Sequence, residues 1–284
     1  MFASIAAAAL AAATPATIAE HQAACAGKDG WSDPAPPIKI FANVYDVGTC
    51  GIVSLLITGP RGHILLDAAT EEAAPGIAAN IQRLGFQLSD VKIIGASHEH
   101  YDHVGGLAEL QRLTGATVMS MSSAYLALET GKVDADDPQL GLHKPYQPAK
   151  VGIMLADGFV VRQGPLAITA HATPGHAPGS TSWSWRSCEN GRCVTFVYAD
   201  SVSAVSSDSY RFSDHKRYVT TFRESLRKIE RMQCSLLVTP HPAASNLYDR
   251  LAGKAPLIDG SACKEYAQRG RAALDARLTK EQAK

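Results

Sequence analysis

Little in this sequence points to nucleic acid or lipid as a partner. Only 19% of its 284 residues are charged, and 27 Lys+Arg balance 27 Asp+Glu, a formal net charge of 0. No basic run accumulates, so the electrostatic footprint of nucleic-acid or anionic-membrane binding is missing. Long apolar runs are missing too. Phe2 to Ala13 is Ala-dominated and falls short of the roughly 20 residues that a bilayer-spanning helix needs. None of the 6 cysteines forms a C-x-x-C pair, which removes the usual zinc-thiolate spacing. No short-period repeat is present. What remains is a chain with 46% hydrophobic residues, enough for a substantial core. It reads as a globular protein that handles a small molecule, expected as a monomer with no nucleic-acid or membrane partner.

The N-terminal Ala/Leu run is followed by Thr17-Ile18-Ala19 and resembles a secretory leader with a cleavage point near Ala19–Glu20, although no Lys or Arg precedes it. Residues 1–19 are therefore read as a signal peptide and residues 20–284 as one domain, exported to the periplasm. The even number of cysteines agrees with export. Their positions suggest the pairs Cys25 with Cys50, Cys188 with Cys193 and Cys234 with Cys263, while other connectivities stay open. In Cys188-Glu189-Asn190-Gly191-Arg192-Cys193, a turn between two β-like runs would bring the thiols together. Closing either long loop would add about 3 kcal/mol on the chain-entropy model.

Apolar periodicity predicts strands over Ile38–Val44, Gly51–Thr58 and His63–Leu66, then a helix over about Thr70–Leu84. Val91–Ser97 reads as a buried strand, Gly106–Thr114 as a helix, Thr117–Ser120 as a strand and Ser122–Glu129 as a helix. The polar stretch Thr130–Val151 is long enough to be a functional loop. Phe159–Arg162, Leu166–Ala172, Thr181–Arg186 and Val194–Tyr198 read as strands. Tyr218–Met232 follows as a helix, Leu236–Thr239 as a short strand and Ala262–Leu278 as a terminal helix. Strands in both halves with interspersed helices suggest an α/β fold of two sheets packed face to face and covered by helices.

Chemistry is concentrated in Ser97-His98-Glu99-His100-Tyr101-Asp102-His103, directly after a buried strand. Loops at strand ends are where a rigid scaffold presents reactive groups. Neutral imidazole and carboxylate are good zinc donors, and this loop offers enough of them to serve two adjacent ions. Thr173-Pro174-Gly175-His176 and Pro240-His241-Pro242 each put a further histidine after an apolar strand. Neither half of the chain holds a complete ligand set, which argues for one domain. His21, His63, His143, His171 and His215 are expected in hydrogen-bonded structural roles, with His143 in the long polar loop able to line a site.

These motifs resemble the metallo-β-lactamase superfamily, whose signature is H-x-H-x-D-H with later histidines after separate strands. The resemblance implies a four-layer αβ/βα sandwich, two mixed sheets flanked by helices. More narrowly the chain is similar to the third subclass of the class B β-lactamases. The shared features are Thr173–Trp183 around His176, Tyr198-Ala199-Asp200-Ser201-Val202-Ser203, Ser209-Tyr210-Arg211-Phe212 and the three cysteine pairs. Carried over, His98, His100 and His176 would hold one Zn2+ and Asp102, His103 and His241 a second, with Asp102 also catalytic. Asp67 looks like the carboxylate that orients a ligating imidazole; a turn or helix-start role is its plain alternative. Ser201 and Ser203 would bind the substrate carboxylate, with Gln139 as a further contact. The implied reaction is hydrolysis of the β-lactam amide of penicillins, cephalosporins or carbapenems by a metal-bridging hydroxide. The competing reading is a glyoxalase II-like thioesterase or a lactonase of the same superfamily, in which Asp200 would bridge the metals.

Overall fold

A computed structural model of the chain describes residues 14–283; residues 1–13 of the expected leader lie outside the described residues. Helix α1 (Ile18–Ala24) opens with a capping box: Thr17 Oγ1 accepts from Glu20 N–H at 3.2 Å, and the Glu20 carboxylate accepts from Thr17 N–H at 2.8 Å. The cleavage point expected after Ala19 falls inside this helix.

Four strands follow: β1 (Ile38–Phe41), β2 (Val44–Asp46), β3 (Leu55–Ile57) and β4 (His63–Leu66). Next come α2 (Ala74–Arg83), β5 (Val91–Gly95), α3 (Tyr101–Val104), α4 (Leu107–Thr114), β6 (Thr117–Met121), α5 (Tyr125–Thr130) and β7 (Val151–Leu155). The second half runs β8 (Val160–Gln163), β9 (Leu166–Ala172), β10 (Thr181–Glu189), β11 (Arg192–Tyr198), α6 (Lys216–Arg231), β12 (Leu236–Val238), α7 (Leu247–Leu251) and α8 (Ala262–Gln282).

Strands β1 to β7 form one mixed sheet in sequence order, antiparallel from β1 to β4 and parallel from β4 to β7. The second sheet has the order β12-β11-β10-β9-β8 and is antiparallel except for the β11/β12 pair. Inward side chains of both sheets meet in one apolar layer that includes Leu55, Ile64, Leu66, Ile168, Trp183, Phe196 and Leu236. On the outside, Ile77 and Ile81 of α2 and Leu107 and Leu110 of α4 cover the first sheet. Phe222, Leu226 and Ile229 of α6 and Leu274 of α8 pack as the second sheet's cover. The result is the four-layer sandwich with two mixed sheets flanked by helices. Burying each such large side chain contributes about 1.5–3 kcal/mol, so these layers drive the fold.

Several element boundaries differ from the sequence expectation, each for a local reason. Ile38–Val44 is two strands, because Ala42 takes a left-handed φ of 51° and Asn43 hydrogen-bonds to Thr58 C=O at 2.6 Å, turning the chain. Only Leu55–Ile57 of Gly51–Thr58 is strand: the buried Asp46 carboxylate accepts from Gly48 N–H and Ser54 N–H, at 2.9 and 3.2 Å, and diverts the backbone before it. The polar loop ends in β7, an edge strand that the sequence reading did not separate from it. The β10–β11 hairpin matches expectation. Asn190 and Gly191 have φ of 52° and 77°, a two-residue turn suited to Asn-Gly, and Cys188 faces Cys193. Disulfides join Cys25 to Cys50, Cys188 to Cys193 and Cys234 to Cys263.

The two sheets are stitched together at one edge. Trp183 Nε1–H donates to Ala96 C=O at 3.0 Å and Thr181 N–H to Ser97 C=O at 2.6 Å. Tyr198 O–H, from the second sheet, reaches Asp67 at the end of β4 at 2.7 Å. At this edge β4, β5, β9, β11 and β12 all end.

Candidate metal centre

Each strand ending at that edge hands over one group. Asp67 follows β4, the loop Ser97–His103 follows β5, Thr173–His176 follows β9, Asp200–Ser203 follows β11 and His241 follows β12. One nitrogen of each of His98, His100 and His176 falls into a cluster whose donor atoms lie within 4.8 Å of one another, and His98, Asp102 and His103 form a second such cluster. The ring centroids of His98 lie 4.6 Å from His100, 4.7 Å from His176 and 4.2 Å from His103. His241 joins on the Asp102 side: its Nε2 is 3.3 Å from Asp102 Oδ2, which is also 3.1 Å from His103 Nε2. Donors around one tetrahedral ion with bonds of about 2.0–2.2 Å stand roughly 3.3 Å apart, so these spacings suit a metal.

The other nitrogen of each buried imidazole is held by an acceptor. His98 Nδ1–H donates to Asp200 Oδ1 at 2.8 Å, His100 Nε2–H to Asp137 Oδ2 at 3.0 Å and His103 Nδ1–H to Asp67 Oδ2 at 3.1 Å. His176 Nδ1–H donates to Ser203 C=O at 3.0 Å. Such outer partners fix tautomer and ring orientation and raise ligand basicity. His98 Nε2 is buried with no hydrogen-bond partner, while His103 Nε2 has only the Asp102 carboxylate facing it, at 3.1 Å. An unpartnered buried nitrogen is costly unless an electrophile meets it, so the donor set fits a bound cation. The amide of Gln139 donates to His176 Nε2 at 3.2 Å, the face that His176 turns to His98 and His100.

Asp67 is not a helix cap. The short 3-10 turn after it is capped by Thr70, whereas Asp67 accepts from Ser97 N–H at 2.5 Å, Ser97 Oγ–H at 2.7 Å and the Tyr198 hydroxyl. Asp200 also has one clear geometry. It engages Nδ1 of His98, on the ring edge away from the unpartnered Nε2. Of the remaining expected site residues, Ser201 is buried and Ser203 exposed beside His176, and Gln139 is buried under the polar loop.

Electrostatics follow the packing. Burial, reinforced by neighbouring imidazoles, pushes His98 well below its ordinary range and His176 down to about 3, so both are neutral, the ligating form. Burial opposes ionisation of Asp102, but the charge and hydrogen bond of His103 overcome it and hold the carboxyl well below its usual range. The same pair drives His103 up to about 10 against the effect of burial. Asp102 and Asp67 thus flank the two nitrogens of the His103 ring, and a divalent ion would take the place of the proton between Nε2 and Asp102.

The sequence reading missed three residues. Asp137 bonds to His100, and its position in Asp136-Asp137-Pro138 looked like surface loop. Glu99 turns away from the centre, accepts from Gly179 N–H at 2.7 Å and is pushed up to about 8 by burial and then by Asp137. A Cβ at Gly179 would stand 2.4 Å from Glu99 Oε2, so only glycine fits there. Trp31, exposed, places its ring 6.0 Å from His143 and 6.5 Å from His241, forming a wall beside the centre. His143 itself stacks on His100 at 4.8 Å and donates to Gln139 at 3.1 Å. His21, His63, His171 and His215 lie elsewhere, bonded to Pro36 C=O, Gly59 N–H and Ser184 Oγ in the first three cases and stacked on Tyr210 in the last.

Comparison with known proteins follows the same lines. The family model of the metallo-beta-lactamase superfamily matches residues 47–190. Among solved structures, the chain is similar to the metallo-beta-lactamase MIM-1 from Novosphingobium pentaromativorans, with a TM-score of 0.91 and 47% identity over 93% of this chain and 98% of that one. It is also similar to MEM-A1, a subclass B3 metallo-beta-lactamase from a soil metagenome library, with a TM-score of 0.85 and 41% identity over 89% of this chain and 99% of that one. A curated relative, the hydroxyacylglutathione hydrolase of Bradyrhizobium sp. (strain ORS 278), is 30% identical over 130 residues, 43% of this chain and 42% of that protein. The chain spans less than half the length of the first curated relatives it matches.

Proposed function

The chain belongs to the metallo-beta-lactamase superfamily, and from that premise we propose that it is a zinc-dependent β-lactamase of the B3 type, hydrolysing the β-lactam amide of antibiotics in the periplasm. The observation that carries this reading over a thioesterase or lactonase is the position of Asp200. Its Oδ1 meets the outward nitrogen of His98 at 2.8 Å, and the residue belongs to neither cluster of candidate metal donors, which favours an orienting role over a bridging one. The likeness to lactamase structures over nearly the full chain supports the same reading.

One ion would be held by His98 Nε2, His100 Nδ1 and His176 Nε2, the nitrogens not committed to Asp200, Asp137 and Ser203. The other would be held by Asp102, His103 Nε2 and His241 Nε2. When bound, two zinc ions supply Lewis acidity and lower the pKa of water to near neutrality. The chain's own residues do the rest. Asp102, ionised at neutral pH, accepts a hydrogen bond from the attacking water and aims it at the amide carbonyl. Asp200, Asp137 and Asp67 keep the three loop imidazoles in register. Ser201 and Ser203 bind the substrate carboxylate, and Trp31 and the Gln139–His143 pair wall the opposite side. No serine nucleophile or covalent acyl intermediate is needed.

The test is metal analysis joined to activity. Protein purified under zinc-replete conditions should carry two ions and open a carbapenem; a chelator should abolish turnover and added zinc restore it. Turnover that survives complete removal of metal would overturn the proposal.

A further inference from the structure

A cleft of about 290 Å3 runs from Ser201, Ser203 and His241 along α8, floored by Val202 and Tyr266 and rimmed by Arg269. It continues the metal centre, since its mouth is made of the two proposed carboxylate-binding serines and one proposed ligand. The other α8 arginines that line the sandwich are paired: Arg271 bonds to Glu230 at 2.6 Å and Arg277 to Glu281 at 2.6 Å. Arg269 differs. It gives one N–H to Ala244 C=O at 3.0 Å, its guanidinium carbon lies 5.8 Å from the centre of the Tyr266 ring, and among the described residues it has no carboxylate partner. One hydrogen bond tethers it while most of its donors stay open.

The mouth and far end of this cleft differ in charge. Hydroxyl groups of Ser201 and Ser203 bind an anion without neutralising it, and the walls between them and Arg269 are apolar. A guanidinium held against an aromatic ring at the end of an apolar cleft suits a carboxylate or sulfonate in fork geometry. We propose that this cleft receives the substituent next to the ring carboxylate of the substrate, and that Arg269 selects substituents ending in an anion. The inference rests on the β-lactamase reading of the site and names which members of that substrate class the cleft favours.

The experiment uses the zinc-loaded enzyme and two cephalosporins that differ only in that substituent's end, a carboxylate in one and its neutral amide in the other. The wild type should show a kcat/KM about three- to tenfold higher for the carboxylate compound, carried by KM, with the gap narrowing as salt rises because Arg269 is exposed. Arg269→Ala should erase the preference while leaving the amide compound within twofold of wild type; Arg269→Lys should keep part of it and Arg269→Glu reverse it. Equal loss on both compounds, or no loss on either, overturns the proposal. Turnover of the amide compound by the wild type separately tests the β-lactamase reading. If neither compound turns over, calorimetric binding of both to wild type and Arg269→Ala decides the cleft's role: an unchanged affinity ratio refutes it, and a ratio collapsing to one supports it.

Discussion

Replacing Asp200 perturbs the group on which the choice between lactamase and thioesterase turns. Its Oδ1 accepts from His98 Nδ1–H at 2.8 Å, both side chains are about 1% exposed, and Oδ2 has no partner. Burial pushes the Asp200 carboxyl well above its ordinary range, whereas a cation on His98 Nε2 would favour the ionised form; Asp200→Asn keeps an acceptor for His98 but removes that charge. Asp200→Ala leaves the His98 N–H buried and unpaired. A hydrogen bond to a charged group contributes about 1.5–3 kcal/mol, or roughly ten- to a hundredfold in an equilibrium constant. Asn should fall at the lower end of that range and Ala at the upper, matching the usual cost of losing a partner that orients a ligating histidine. The affected ion should be the one held by His98, His100 and His176. Zinc stoichiometry at saturation should stay at two, with the loss visible only in titration against a competing chelator. A His241→Ala background, in which the other ion is crippled, isolates the effect. There, Asp200→Asn should still weaken the remaining ion about tenfold. If it instead strips the Asp102–His103–His241 ion from an otherwise wild-type chain and leaves the His98 ion unchanged, Asp200 is a direct ligand and the reasoning fails.

Ser201→Ala and Ser203→Ala should each raise KM for a carboxylate-bearing β-lactam by roughly ten- to a hundredfold with kcat little changed, as steady-state kinetics would show. Removing the Cys25–Cys50 or Cys234–Cys263 bridge should cost about 3 kcal/mol in chemical denaturation and the short Cys188–Cys193 bridge less, and non-reducing mass mapping should recover these three pairs. Glu281 gives a pH prediction. Burial raises its pKa, but Arg277 and the N–H groups of Ser213 and Phe212 pull it below the ordinary carboxylate value. A depressed carboxyl stabilises the fold above its unfolded pKa, near 4.5, and that stabilisation is lost as pH falls through the folded pKa. Glu281→Gln should therefore be less stable than wild type at pH 7 and converge with it in acid, read from denaturation midpoints across pH.

The cluster His98–His103 could be read from the chain because all its donors sit on one loop after one strand, where local sequence is enough. His176 and His241 were legible for the same reason, each closing an apolar strand with a turn. Asp67 required the resemblance, since a carboxylate before Thr70 equally suits a turn. Asp137 was hidden because its burial depends on the whole polar loop folding over His100, a contact across 37 positions. One signal was available: Asp137 Oδ1 accepts from Gln139 N–H at 2.6 Å, the local turn that an Asp-Pro pair favours. Glu99 was passed over because it lies between His98 and His100 yet faces the other way, towards Gly179. Strand β7 was lost against Gly152 and the prolines before it, and the β1–β2 turn at Ala42 carries no glycine or proline to mark it. In each case a long-range contact or an unusual backbone angle outweighed the local pattern.

The central claim is that this His/Asp centre, loaded with zinc, would cut a β-lactam amide in preference to the bonds its superfamily relatives cut. One measurement addresses it most directly: kcat/KM of a single zinc-loaded preparation for a carbapenem, a glutathione thioester and an acyl homoserine lactone. The carbapenem value should exceed the other two by at least about a hundredfold, a margin worth about 2.7 kcal/mol of transition-state stabilisation. A thioester or lactone value equal to or above that of the carbapenem would contradict it.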